Sequence, residues 1–421
     1  MWRHFAANAL TFFIVALFLV AGVVTWGVNE YSAEGPLPDP VCLQVAGGSN
    51  FRRVSEQLAE QGAISSPTIF RLGVDYSERT DDLKAGSFLV PARASMEEIT
   101  DIVTRGGAST CGTEVVYRIG VNRTLAEVRK LDPQTSEFVE LAEFEPLLDA
   151  PRPPEYEEVR AEADTTYRIV VAEGVTSWQV VQALNALDVL EGEVTDIPPE
   201  GMLAPDSYAI EPGREVASLI EQMQNAQETF LAQAWEDRAE DLPLATPEEA
   251  LTLASIVEKE TAVPEERAVV ASVLVNRIEQ GMRLQFDPTI IYGITRGQGL
   301  LDRAIRESDI AGATEAELHG EVLYNTYVLD GLPAGPIALP GRAAIQAALN
   351  PDATDYLYFV ADGSGGHAFA ETLAEHNANV ARWREVEAQR AAEAEAAAAA
   401  GESDTPDDEA EPAEDVTAEG E

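Results

Sequence analysis

A chain of 421 residues, 45% of them hydrophobic, has room for two or three domains with apolar cores. It carries 74 acidic against 28 basic side chains, a net charge of −46, and the segment 384–421 (14 acidic, 2 basic) accounts for only −12 of that. So negative a surface repels phosphate backbones, which excludes nucleic acid as a partner and favours solubility.

Met1-Trp-Arg3-His4 precedes an uncharged run of 22 residues, Phe5 to Trp26. That is enough for a helix to cross a hydrocarbon core of about 30 Å. The next Lys or Arg is Arg52, so the positive-inside rule places 1–4 in the cytoplasm and everything from Asn29 outside the inner membrane. The run is too long for a signal-peptide core and no Ala-x-Ala site follows, so 5–27 reads as an uncleaved single-pass anchor. Cys42 and Cys111 bracket one module of this exported region. An oxidising compartment permits them to pair, and two unpaired buried thiols are the alternative.

Residues 41–107 read as a compact unit. Leu43-Gln-Val-Ala is a short strand, Gly47-Gly48-Ser49 a turn and N-cap, and Phe51, Val54 and Leu58 an apolar helical stripe. Ser65-Ser66-Pro67 opens a second helix, and Ser95-Met-Glu-Glu98 is a capping box before Ile99, Ile102 and Val103. This is the outline of a LysM-like module. Residues 112–165 are expected as an insert of unassigned role, with a strand at Val115–Ile119 and a Pro/Glu-rich linker around Pro151–Pro154. Over 166–245 the pattern returns: strand Tyr167–Ala172, turn Gly174-Val-Thr176, then Trp178, Val181 and Leu184 on one helical face. From Thr246 to 385 the chain reads as helical, opening on Thr246-Pro247-Glu248-Glu249 (N-cap, first-turn proline, capping glutamate). The tail 386–421 is Ala/Glu-rich and expected helical at first, then Pro/Asp/Glu-rich and expected disordered. The expected class is α+β.

The helix Leu251–Glu260 is apolar and delivers two glutamates, Glu258 and Glu260, where Thr261-Ala-Val-Pro264 must end it. A carboxyl there lies at the negative pole of the helix and beside hydrocarbon, and both effects oppose ionisation. A general acid working at neutral pH needs that raised pKa. Periodicity sets Glu260 over Ile256 and Val257, and Glu258 over Ala254 and Ser255; both faces are apolar, so spacing leaves both open.

The run Ala254-Ser-Ile-Val-Glu-Lys-Glu-Thr261 resembles the signature of the endolytic murein transglycosylases of the YceG-like family. So do Arg283-Leu-Gln285-Phe-Asp287-Pro-Thr-Ile-Ile-Tyr292-Gly, Tyr324-Asn325-Thr326-Tyr327, Gly331-Leu-Pro-Ala-Gly-Pro-Ile337, Tyr356–Asp362 and Gly365-Gly-His367-Ala-Phe369. Pro333-Ala334 departs from the family's usual pair of prolines. The resemblance implies a mainly helical, lysozyme-like catalytic domain at 246–385 that cuts MurNAc–GlcNAc bonds without water, one carboxyl acting as acid and then as base. It points to Glu260, which precedes Thr261 as the acid of lysozyme-like transglycosylases precedes Ser or Thr, with Glu258 second. The implied partners are peptidoglycan strands, the membrane and cell-wall synthases; no cofactor or metal is implied.

Gln285 and Asn325 are candidates for hydrogen bonds to N-acetyl or hydroxyl groups, or for turn bonds. Tyr292, Tyr324 and Tyr327 are candidates to stack on pyranose faces, or core tyrosines. Asp287 is a substrate contact, a cap, or the second carboxylate of a muramidase. His367 and His376 lack zinc spacing and read as hydrogen-bonding residues. Two further readings stand beside the transglycosylase: a non-catalytic glycan-binding scaffold, and a two-carboxylate hydrolase using Glu260 and Asp287.

Overall fold

The structure is a computed structural model that describes residues 2–105, 111–162, 165–311 and 323–402, without the side chains of 2–9 and 395–402. It divides into two compact units, 1–229 with 297–300, and 230–296 with 301–421.

The first unit opens with helix α1 (Trp2–Ser32). Its segment Leu10–Ser32 is long and apolar enough to cross a membrane, and Leu10, Phe12, Phe18 and Val24 stand exposed along it. The chain then forms strand β1 (Val41–Val45), helices α2 (Phe51–Glu60) and α3 (Pro67–Tyr76), strand β2 (Gly86–Val90) and helix α4 (Met96–Thr104). β1 and β2 pair antiparallel with Cys42 opposite Leu89. The expected stripe is the core: Phe51, Val54 and Leu58 meet Phe70, Val74, Ile99 and Val103. Capping fixed these helices as read, with one shift. Asn50, not Ser49, caps α2 by accepting from Arg53 N at 3.1 Å, while Ser66 caps α3 and the Ser95/Glu98 box opens α4. Cys42 and Cys111 are joined by a disulfide.

The residues expected as an insert supply three strands of a larger sheet: β3 (Thr113–Ile119), β4 (Thr124–Asp132) and β5 (Glu137–Phe144). After helix α5 (Pro154–Arg160), strand β6 (Thr166–Val171) returns beside β3. Helix α6 (Ser177–Asn185), strand β7 (Leu190–Glu191), strand β8 (Ser207–Ile210), strand β9 (Arg214–Glu215) and helix α7 (Val216–Glu236) follow. The sheet order is β5-β4-β3-β6-β8, with β3 and β6 parallel. No boundary falls at 165/166, because one sheet runs through it. The repeated strand–turn–helix is local: β1 sits in a two-stranded sheet and β6 in a five-stranded one.

The second unit begins at Phe230, inside α7 and ahead of the expected boundary at 246. It contains α8 (Pro247–Glu260), α9 (Arg267–Glu279), α10 (Asp287–Thr295), α11 (Glu307–Ala311) and α12 (Arg342–Leu349). Strands β10 (Tyr358–Ala361) and β11 (His367–Ala370) and helix α13 (Leu373–Glu402) complete it. Every residue from Ala250 to Val257 is buried, and α12 packs on α8 and α9. Between these helices run long irregular segments, and the β10–β11 hairpin, whose aromatic strands are short, lies in a stretch expected as helical. α13 carries the helical start of the tail; 403–421 lies outside the described residues.

Candidate functional site

α8 places both glutamates. Thr246 starts the helix by accepting from Glu249 N at 3.2 Å, with Pro247 in the first turn where no amide partner is needed. The helix stops at Thr261, whose backbone turns extended (φ −135°, ψ 129°) ahead of Pro264 and whose hydroxyl accepts from Val263 N at 3.0 Å. Glu260 is thus the last helical residue, above a turn buried at Ile256 and Val257.

The two carboxyls face different surroundings. Glu258 Oε2 accepts from Gly341 N at 2.9 Å. Gly341 is the N-cap of α12, so this carboxylate sits at the positive pole of a helix, where charge is favoured. Ser255, one turn earlier, accepts from Ile337 N at 3.0 Å, so two α8 side chains hold the 337–341 segment. The Glu260 carboxyl is instead pushed up from 4.5 to about 7. Burial is the largest cause, the negative charge of Asp287 adds to it, and the positive charge of Arg277 opposes it.

Arg277 was not singled out in the sequence, although an arginine closing the apolar run Val269–Val275 was the available signal. Its side chain is buried. Nε donates to Leu357 O at 2.7 Å, Nη1 donates to Leu284 O, and the guanidinium lies over the Tyr358 ring at 5.4 Å. Burial holds its pKa below the ordinary arginine value, against the pull of Tyr358, Tyr327 and Glu260. It is a fixed positive charge beside the Glu260 carboxyl, held by two backbone carbonyls.

Asp287 opens α10 and accepts from the Tyr327 hydroxyl at 2.8 Å. Burial, then that bond and the negative charges of Asp287 and Glu260, raises the Tyr327 pKa, so the phenol stays protonated and donates. The backbone joins the two segments as well. Gln285 N donates to Thr326 O at 3.1 Å, and Phe286 N donates to Thr326 Oγ1 at 2.9 Å. Gln285 takes a left-handed φ of 61° to make this turn, and its side chain is exposed. Glu260, Asp287, Tyr327 and Arg277 therefore form one electrostatic cluster.

The other candidates are placed differently. Asn325 is buried, and its amide is committed to the turn: Nδ2 donates to Asp309 O and Ile310 O at 3.0 and 3.1 Å, and Oδ1 accepts from Tyr327 N at 3.0 Å. Of its two expected roles, these hydrogen bonds are those of the turn. Tyr292 and Tyr324 lie against each other, ring centroids 4.8 Å apart, with Arg296 over Tyr324 at 5.2 Å. His367 is a hydrogen-bonding residue: Nδ1 lies 2.6 Å from Glu266 Oε2, and its backbone N donates to Glu266 Oε1 at 2.8 Å. Glu266 approaches so closely that a Cβ on Gly366 would meet its Oε1 at 2.5 Å. His376 stacks on Tyr358 at 5.2 Å. Among the described residues no group of His, Cys, Asp and Glu is arranged to hold a metal ion.

Comparison with known proteins gives this cluster a context. The YceG-like family model matches residues 43–382. The endolytic murein transglycosylase of Streptococcus pneumoniae (strain D39) is 28% identical over 388 residues, 90% of this chain and 65% of that protein. The enzyme of the same name from Bacillus subtilis is 34% identical over 185 residues, 43% of this chain and 46% of its own. The chain thus spans about 65% of the length of the pneumococcal relative. A crystal structure of a yceG-like protein from Listeria monocytogenes matches 81% of this chain and 99% of its own at 23% identity, with a TM-score of 0.42. The family match alone covers far more than half of the sequence, and on it the chain belongs to the YceG-like family.

Proposed function

We propose that this chain is a membrane-anchored lytic transglycosylase acting on peptidoglycan, with Glu260 as its catalytic acid and base. The observation that carries the reading is the Glu260 carboxyl at the end of a buried helix, pushed up to about 7 and beside Arg277 and Asp287. At neutral pH a large fraction of it holds a proton to give, and the conjugate base is strong enough to take one back. Glu260 protonates the glycosidic oxygen as the C1–O bond breaks. The carboxylate then removes the proton of the sugar's own C6 hydroxyl, whose oxygen closes on C1 to give a 1,6-anhydro end. The nucleophile is intramolecular, so no second carboxylate is required. Arg277 balances the charge on Glu260 after proton transfer. Asp287, held by Tyr327, keeps the acid's pKa high, and Gln285 offers an exposed amide to the glycan. The names of the relatives, both endolytic murein transglycosylases, support the substrate class.

In this reading the catalytic unit lies outside the inner membrane, α1 spans it with the N-terminus inside, and the β1–α2–α3–β2 module is a LysM-like glycan-holding element. Synthases that extrude new strands at the membrane are the natural neighbours. The proximity of Asp287 to Glu260 favours one alternative, a two-carboxylate muramidase. Mass spectrometry of glycan strands digested by the protein separates the two: 1,6-anhydro ends are expected here, whereas reducing ends would establish a hydrolase and intact strands a scaffold.

A further inference from the structure

The first unit does not hang from α1 on a free linker. The last turn of α1 is bonded into it: the Tyr31 hydroxyl donates to Thr100 Oγ1 at 2.8 Å, and Ser65 Oγ donates to Glu30 Oε1 at 2.5 Å. The Tyr31 ring lies so close on α3 that a Cβ at Gly73 would overlap it at 2.2 Å. Tyr31 also packs on the core cluster of the module. The end of α1 is therefore packed and hydrogen-bonded into the module.

That junction marks where the end of α1 meets α3, at Gly73. At about 100° per residue, Phe70 and Val74 lie 60–100° to one side of Gly73, and Leu72 and Tyr76 lie about as far to the other. Phe70 and Val74 are buried in the module core. Leu72 is 62% and Tyr76 89% exposed. The core begins at Tyr31 and continues beyond the end of α1 through Leu37 and Leu43, while the apolar body from Leu10 to Val28 stands clear of it. Leu72 and Tyr76 thus stand on the solvent side of α3, flanking on the side away from the core the Gly73 position where Tyr31 seats the end of α1. A single exposed leucine or tyrosine is ordinary on a protein surface. These two form an apolar pair one turn apart, beside the one described helix long and apolar enough to span a membrane.

We propose that Leu72 and Tyr76 form a lipid-contact edge, so that α3 lies on the outer surface of the bilayer that α1 spans and sets the module's height and tilt above it. Leucine supplies an apolar side chain for the acyl boundary, and tyrosine an amphipathic ring suited to the headgroup level. This inference rests on the membrane-anchor reading of α1, and the test separates the two.

The sequence has two cysteines, both in the disulfide, so one added thiol carries a nitroxide cleanly. The full chain is reconstituted in phosphatidylethanolamine/phosphatidylglycerol vesicles with labels at Val20→Cys, Leu72→Cys, Tyr76→Cys or Glu140→Cys. Collision rates with oxygen, which concentrates in lipid, and with a water-soluble nickel chelate are then compared. Position 20 should be lipid-exposed, 72 and 76 should show oxygen-to-nickel ratios several-fold above that at 140, and 140 should be aqueous. Ratios at 72 and 76 equal to that at 140, with 20 in lipid, would overturn the proposal and leave the anchor intact. An aqueous label at 20 would overturn the anchor reading and the proposal with it.

Discussion

Replacing Glu260 by glutamine should stabilise the second unit at alkaline pH while removing its activity. Folding takes this carboxyl from an ordinary value of 4.5 to about 7. Between those values the folded state holds a proton that the unfolded state releases, so unfolding free energy falls as pH rises through that window and stays lowered above it. At about 1.4 kcal/mol per pH unit the penalty at pH 8 is at most ~3.5 kcal/mol. Glutamine keeps the shape and carries no charge, so Glu260→Gln escapes the penalty. For a unit of this size each kcal/mol moves the melting temperature by about 2–4 °C. Calorimetry of wild type and variant should therefore show coincident transitions at pH 4 and a gap of several degrees in favour of the variant at pH 8. Parallel curves across that range, or a variant less stable at pH 8, would refute the claim that Glu260 is a carboxyl kept from ionising.

Asp287→Asn removes the negative charge that helps raise Glu260, so the alkaline fall of kcat/KM should move down by about one pH unit; an unmoved midpoint would show that Asp287 does not act on Glu260. Glu258→Ala leaves the Gly341 amide without its acceptor and should cost about 1–3 kcal/mol of stability by chemical denaturation, with anhydro products still formed. Reducing the Cys42–Cys111 bridge, whose ends are 69 residues apart, should destabilise the first module by about 4 kcal/mol on the loop-entropy argument and leave the second unit's transition in place. Two thiols titrating in the unreduced, unfolded protein would instead show that the bridge does not form.

What the sequence made legible was local. The Ser95/Glu98 capping box and the Thr246-Pro247 start sit where their side chains close bonds within three residues. The apolar span and the Phe51/Val54/Leu58 stripe declare themselves by run length and period. What was not legible was long-range. The parallel pairing of β3 with β6 brings Glu114 beside Thr166 across a Pro-rich stretch that reads as a linker. Spacing left Glu258 and Glu260 open because what sets them apart lies elsewhere in the chain: Gly341, 83 residues on, accounts for one, and Asp287 with Arg277 for the other. Asn325 shows the same limit. Its residue type suits a sugar amide as well as a turn, and the carbonyls of Asp309 and Ile310 that it bonds lie 16 and 15 residues away in the sequence.

The most direct test of the account is the rate at which Glu260→Gln releases 1,6-anhydro ends from isolated glycan strands, measured by mass spectrometry beside wild type and Glu258→Gln near pH 6.5. One carboxyl performs both proton transfers, and acid–base catalysis contributes about 10²–10⁴-fold. Glu260→Gln should therefore lose activity at or beyond the upper end of that range, while Glu258→Gln keeps most of it. Normal release of anhydro ends by Glu260→Gln, or a dead Glu258→Gln beside an active Glu260→Gln, would contradict the assignment of the reaction to Glu260.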